Sequence, residues 1–173
     1  MSELKDLMKK KLGFGCMRLP VLDGEQDRID DQTFCEMIDS YMEQGFQYFD
    51  TAYPYHKEQS EEAVRRCLVE RYDRDLFFLP AAWPLVRKEH WITLSKARAI
   101  ENQMFFCAVN ECGRAGSTQY GGNSMLLSPL GEELLHLGEK EQVATAEIDT
   151  DVLQGIRESI NVFRDRRPEL YHW

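Results

Sequence analysis

The chain has 173 residues, 43% hydrophobic and 29% charged, with a formal net charge of −9, which suits a soluble globular protein with a real core. That acidity argues against nucleic-acid binding, which needs clustered Lys and Arg, and the short basic runs (Lys9 to Lys11; Arg164, Arg166 and Arg167) read as solvated faces or ion-pair partners. No apolar run approaches the about 20 residues of a membrane helix, MSELKDLMKKK lacks an apolar signal core, and the five cysteines include no C-x-x-C pair. The expectations are therefore a cytoplasmic protein with reduced thiols, no zinc or other metal site, and neither a nucleic-acid nor a membrane partner.

In chain order, residues 12–20, LGFGCMRLP, read as a short strand opened by glycines. Asp30 and Asp31 cap a helix running to about Glu43, with Phe34, Met37, Ile38, Tyr41 and Met42 on one stripe. Gly45 stops it, and FQYFD, Phe46 to Asp50, is a strand. Ser60 caps a second helix whose inner face is Ala63, Val64, Cys67 and Leu68. Leu76 to Leu79 is the next strand. Residues 12–79 thus spell β-α-β-α-β with short connections, the pattern of parallel strands with helical crossovers. The rhythm then changes. Arg87 to Gln103 is one helix, apolar on more than one side through Trp91, Ile92, Leu94, Ala97 and Ile100, and is expected to be well buried. Met104 to Asn110 is a strand, residues 121–129 hold another, and Leu130-Gly131 is a turn signal. Leu134 to Leu137 and Val143 to Ile148 extend a meander, and residues 151–160 form a short helix.

The densest chemistry in the first half is Asp50-Thr51-Ala52-Tyr53-Pro54-Tyr55, at the C-terminal end of a strand, where parallel β/α folds carry their sites. A Tyr beside an acid there can protonate a carbonyl if a cation lowers its pKa; equally, it can be a turn aromatic covering a strand end. LGFGCMRLP, GFQYFDTAYPYH and SEEAVRRCLVER resemble the beginning of an aldo-keto reductase, a (β/α)8 barrel that moves hydride from NADPH to a carbonyl. The resemblance makes Asp50 and Tyr55 the counterparts of two catalytic residues. It covers only about three strands. The catalytic Lys should follow the third strand, but that strand runs into Pro80-Ala81-Ala82-Trp83. The catalytic His has no counterpart, and the cofactor's phosphate-binding segments are absent. NADPH is implied only if the reductase remnant is competent; otherwise no cofactor is expected.

LPAAWP, HWITLSKARAIENQ, AVNECG, YGGNSMLLSPLGE and RDRRPELY, across residues 79–171, resemble the C-terminal half of a nitrilase-superfamily carbon–nitrogen hydrolase of the small-amidase branch. That family folds as an α-β-β-α sandwich, usually paired across subunits. Its thiolate nucleophile works with a Glu and a Lys on an amide or nitrile carbon. The resemblance places all three upstream of LPAAWP, in a region that is replaced here. Arg71-Tyr72-Asp73 stands where a Cys-Tyr-Asp stretch would be expected, without its Cys. Cys107 reads as a core residue in mid-strand, and Cys112 as a loop thiol without a Glu–Lys partnership. Arg98, Glu101 and Asn102 read as pocket supports, and His90 as a packed or surface residue. His56, His136 and His172 have no assignable role.

The expected organisation is a reductase-like fragment (residues 1–79) and a hydrolase-like fragment (residues 80–173) meeting at a strand acceptable to both. The fold class is α/β: a partial β/α-barrel-like unit joined to half of an α-β-β-α sandwich, in one mixed sheet with helices on its faces. Open sheet edges, or the hydrolase type of subunit pairing, make a homo-oligomer the expected assembly. Three functional readings follow: a carbon–nitrogen hydrolase-family polypeptide without its Glu-Lys-Cys set and inactive; a truncated NADPH-dependent reductase; or a non-functional product of fusion or sequence assembly.

Overall fold

The computed structural model describes residues 11–165, 167 and 170. Lys9, Lys10, Arg166 and His172 lie outside the described residues. The chain divides into two compact units, Met1–Asp73 and Arg74–Trp173.

Unit 1 contains β1 (Gly13–Gly15), α1 (Asp31–Glu43), β2 (Tyr48–Asp50) and α2 (Ser60–Val64), which continues into a π-helical turn, Arg65–Val69. Strands β1 and β2 pair in parallel, Gly13 opposite Tyr48 and Gly15 opposite Asp50. The first pairing needs glycine, because a Cβ on Gly13 would stand 2.8 Å from the Tyr48 ring. Helix α1 begins where expected, with the Asp30 carboxylate accepting from Thr33 N–H at 3.1 Å and from the Thr33 hydroxyl at 2.7 Å. It ends at Gly45, whose φ of +79° suits a residue without a Cβ. Phe34, Ile38 and Tyr41 are buried, but Met37 is 42% exposed, so the inner stripe is narrower than the sequence implies. The Tyr41 hydroxyl ties this helix to both strands, reaching the carbonyls of Leu12 and Tyr48. The core is completed by Cys16, Leu19, Ala63, Val64 and Cys67. Ser60 does not cap α2. Gln59 precedes the helix without a side-chain cap, and the buried Ser60 hydroxyl instead donates to the Cys16 carbonyl and pairs with Thr51 Oγ1.

Unit 2 contains β3 (Leu76–Ala81), a 3-10 turn (Leu85–Arg87), α3 (Lys88–Glu101), β4 (Phe105–Asn110), β5 (Cys112–Ala115), β6 (Thr118–Gly121), β7 (Met125–Leu127), β8 (Glu133–His136) and α4 (Val152–Ser159). Its main sheet is mixed, in the order β3-β4-β7-β8: β3 and β4 are parallel across α3, and the other two pairings are antiparallel. On one face, Trp91 and Ala99 of α3 pack over Phe106, Ala108, Met125 and Leu127.

The α/β class holds, and among the described residues there is no closed barrel. The single sheet expected through Leu76 to Leu79 does not form, because β1–β2 is a sheet of its own and β3 pairs with β4. The reason is ladder length. All six residues of β3 find partners in β4, whereas β2 is three residues long and already paired. Arg157 fixes the start of β3 from α4, donating to the Arg74 carbonyl and to Asp75 at 3.2 Å.

Three other expectations change. Helix α3 buries one face, Trp91, Ser95 and Ala99, while Leu94 and Ile100 are 46% and 51% exposed. Val143 to Ile148 is not a strand; Val143 is 96% exposed, and no ladder receives the segment. A two-stranded hairpin, β5–β6, stands where no strand was expected. Its two-residue loop, Gly116-Ser117, is a recognisable signal, with Gly116 at φ +58°.

Carboxylates anchor unit 1. Hydrogen bonds from the Thr33 hydroxyl and N–H hold Asp30 below its ordinary pKa. Arg71, then Tyr72, do the same to Asp39, and Arg65 to Glu62. A depressed folded-state pKa gives stability that is present above the ordinary carboxylate range and lost as pH falls through it. Far-UV circular dichroism during acid titration is therefore expected to show helix loss below that range, with Asp30→Ala flattening part of the transition. In unit 2, Asn110→Ala is expected to cost about 2–3 kcal/mol by orphaning buried backbone groups. Tryptophan fluorescence reads this as a urea midpoint lowered by about 1 M, because Trp83 and Trp91 both lie in this unit.

Candidate functional site

In unit 1, Asp50 is the last residue of β2 and is exposed; its backbone carbonyl accepts from Cys16 N–H at 2.8 Å. Tyr55 is half-buried in the following loop, where its N–H donates to the Ala52 carbonyl at 3.1 Å. Asp50 thus closes β2, and Tyr55 lies in the loop that follows it. His56, without a role in the sequence, is the loop's anchor. It is buried, its Nε2 accepts from Leu19 N–H at 2.8 Å, and its Nδ1 lies 2.8 Å from the Gln26 carbonyl. That pair of partners requires the neutral ring with its proton on Nδ1. His56, Lys57 and Glu58 all have positive φ, +53°, +51° and +72°. Three consecutive left-handed residues without glycine persist only where surroundings over-determine them, and the two bonds of His56 do so here.

This loop does not fit NADPH. A dinucleotide phosphate needs convergent cations. Residues 11–73 carry fourteen Asp and Glu against seven Lys and Arg. The cations flanking the loop are already engaged, Lys57 with Asp27, Arg65 with Glu62 and Glu70, and Arg66 with Asp31. The described concavity of this unit, 450 Å3, is lined by Leu12, Phe14, Met37, Tyr41 and Phe46, not by Asp50 or Tyr55.

In unit 2, Cys107 is the third residue of β4, paired with Phe78 on one side and Leu126 on the other. Burial alone pushes its thiol up, opposite to the shift that activates a nucleophile. Cys112 opens β5, half-buried and opposite Gly121. Neither shares an ion pair or hydrogen bond with a Glu–Lys couple among the described residues. Arg98, Glu101 and Asn102 engage one another at the end of α3: Arg98 pairs with Glu101, and the Asn102 amide donates to the Arg98 carbonyl at 2.9 Å. His90 is exposed.

The buried chemistry lies elsewhere, in two asparagines not singled out in the sequence. The Asn110 amide accepts from Trp83 N–H at 2.6 Å and donates to the carbonyls of Trp83 and Gly122 at 3.2 and 2.8 Å. Asn123 donates to the Gly121 carbonyl at 2.6 Å, while its own carbonyl accepts from the Trp91 indole at 2.8 Å. Asn123 Oδ1 lies 3.1 Å from His136 Nε2, whose other ring nitrogen is 2.8 Å from Glu133. Lys96 binds the same Glu133 at 2.7 Å and is the first cause of its lowered pKa, with His136 second. The signal for Asn110 was an amide ending an apolar strand, which must be hydrogen-bonded if buried. The segments AAWP, AVNECG and YGGNS are thus one hydrogen-bonded scaffold. Among the described residues, no group of three or more His, Cys, Asp or Glu is placed to hold a metal, and no helix is long and apolar enough to cross a membrane.

Two family models match the chain. That of the aldo/keto reductase family covers residues 11–104, passing Leu79 to reach Met104, and that of carbon–nitrogen hydrolase covers residues 82–158. Residues 82–104, the 3-10 turn and α3 with their flanks, satisfy both. Over 94 residues the chain is 44% identical to the hydrolase in the agr operon of Staphylococcus lugdunensis, covering 54% of this chain and 40% of that protein. Over 97 residues it is 42% identical to 2-oxoglutaramate amidase of Bacillus subtilis (strain 168), covering 56% and 38%. It superposes on a carbon–nitrogen hydrolase superfamily protein of Xanthomonas campestris with a TM-score of 0.53 and 38% identity, covering 55% of this chain and 36% of that one. The chain thus spans about two-fifths of the length of these relatives. The chain belongs to the aldo/keto reductase family through residues 11–104, and its residues 82–158 match the carbon–nitrogen hydrolase model.

Proposed function

We propose that this chain is an amidase-like carbon–nitrogen hydrolase polypeptide that lacks the Glu-Lys-Cys machinery and does not turn over amides. The observation that carries this reading is the state of Cys107: half-buried in the middle of a strand, its thiol raised by burial with no charged neighbour contributing. A thiol held protonated attacks an amide carbon poorly, and a base within hydrogen-bond reach is what would remove its proton. Cys112 stands in a hairpin whose described hydrogen bonds are to backbone. What the family segments retain is the scaffold of Asn110, Asn123 and Trp91, which supports a hydrolase-like fold without requiring hydrolase chemistry.

A second reading, a reductase remnant, is favoured by the position of Asp50 and Tyr55 after β2. Against it stand the absence of a Lys directly after β3, which runs into Ala82-Trp83-Pro84, and the acidic surroundings of the loop. A fused product joining two family segments across β3 is compatible with either reading and performs neither activity. As an assembly we propose a homo-oligomer. The outer face of β3 and β4 presents Phe78 and Val109, 55% and 48% exposed, and apolar faces of this kind associate.

Incubation of the full chain with small aliphatic amides is expected to release no ammonia above a protein-free control. Release that Cys107→Ser or Cys112→Ser abolishes would overturn the inactive reading. Titration of NADPH followed by its fluorescence is expected to show no saturable enhancement. Enhancement at micromolar cofactor that Tyr55→Phe leaves intact, accompanied by carbonyl reduction that this variant abolishes, would establish the reductase reading instead.

A further inference from the structure

Unit 1 holds three of the five cysteines, and two of them, Cys35 and Cys67, lie on neighbouring helical segments. Cys35 lies in the middle of α1 and Cys67 in the π-helical turn after α2. Three contacts fix the pair. The Cys67 thiol sits 3.5 Å from the Asp31 carbonyl, one helical turn before Cys35 and on the same side of α1. A single guanidinium nitrogen, Arg71 Nη1, donates to the carbonyl of Cys67 at 3.2 Å and to that of Cys35 at 3.5 Å, so the two backbones are held side by side. Cys35 packs against the buried cluster that contains Cys67. The π-turn is what turns Cys67 inward. Its i to i+5 bond, from Glu70 N–H to the Arg65 carbonyl at 2.9 Å, adds one residue to the helical turn, and such insertions frequently mark functional positions. Arg71 is itself held by Asp39 at 2.7 Å, which keeps the clamp in place.

We propose that Cys35 and Cys67 form a redox-sensitive dithiol that peroxide closes to an intramolecular disulfide. This rests on neither family's activity. The two sulfurs differ in access: Cys35 is half-buried, and Cys67 is 1% exposed. Cys35 is therefore the sulfur that meets peroxide. Its thiolate attacks one peroxide oxygen, the O–O bond breaks, and the departing hydroxide takes up a proton to leave as water. Cys35 is then a sulfenic acid. The Cys67 sulfur attacks the Cys35 sulfur, the S–O bond breaks, and the Cys67 proton joins the departing hydroxide as the second water. Two thiols lose two electrons, and one peroxide becomes two waters. Burial, followed by the neighbouring Cys35, pushes the Cys67 thiol up to about 12, so this second step needs the two sulfurs to be brought together by the Arg71 clamp. Cys16 is fully buried, with its thiol also raised to about 12 by burial and then by Asp50, and it stays reduced.

The test is peptide mapping of the full chain after treatment with hydrogen peroxide, thiol blocking and non-reducing digestion. The expected result is a cross-linked peptide containing Cys35 and Cys67, a free-thiol count falling from five to three, and no increase in non-reducible oligomer. The same treatment in denaturing urea is expected to scatter the pairing. In Cys67→Ser, a sulfenic acid trappable by a dione reagent is expected at Cys35, and Cys35→Ser is expected to abolish both products. The proposal is overturned if the native chain keeps all five thiols, or if Cys35 is over-oxidised without a cross-link. It is equally overturned if the native pairings match those in urea. The wild-type map decides the question even where a variant fails to fold.

Discussion

Unit 2 depends on satisfying buried amides. Asn110 ends the central strand β4, and its side chain bonds backbone groups of the Trp83 corner and of Gly122 before β7. The Trp83 carbonyl also accepts from Gly121 N–H at 3.1 Å, but among the described residues the Trp83 N–H and the Gly122 carbonyl pair with the Asn110 amide, and without it they would be left unsatisfied. Asn123 repeats the device one step further on. It joins the Gly121 carbonyl and the Trp91 indole of α3 to His136 and Glu133 of β8, and Glu133 pairs in turn with Lys96 of α3. The two tryptophans can therefore lie 5.9 Å apart with both indole N–H groups bonded. The apolar layer of Phe106, Ala108 and Leu127 supplies the burial, and the asparagines set the geometry of the corners.

Unit 1 solves the same problem with different groups. Its sheet has two three-residue strands, too short to hold a loop by themselves. The Tyr41 hydroxyl, the Ser60 hydroxyl and the His56 ring each reach backbone groups far away in sequence. His56 carries the largest conformational cost, since it holds three residues in the left-handed region. The Asp50–Tyr55 passage beside it has the order of a reductase site. Around it, acids outnumber cations, and Lys57, Arg65 and Arg66 are already paired.

The resemblance of residues 79–171 was carried by short words of Pro, Trp, Asn and Gly, and those words are the residues that close hydrogen bonds in unit 2. That is why more of unit 2 was legible than of its chemistry. The scaffold words sit at corners and strand ends, where few residue types satisfy the backbone. A nucleophile needs a base and a cation from other segments, and no periodicity announces such partners. The hairpin β5–β6 was not expected because residues 111–120 offer no apolar alternation, and only the short Gly116-Ser117 turn signals that its flanks pair. Val143 to Ile148 was overread because alternation suggests a strand only where a neighbouring edge receives it.

By itself the sequence determined the helices and most strands, since caps such as Asp30 and stops such as Gly45 act within one turn of chain. It also determined that two family patterns adjoin near β3. Only the tertiary structure decided that β3 joins β4 rather than β2, because pairing depends on which free edge offers the longer ladder. It alone decided that His56 is an anchor, that Cys107 is half-buried in mid-strand, and that Cys35 packs against the cluster that contains Cys67. Each of these depends on residues distant in sequence arriving within bonding reach, which local propensity does not encode.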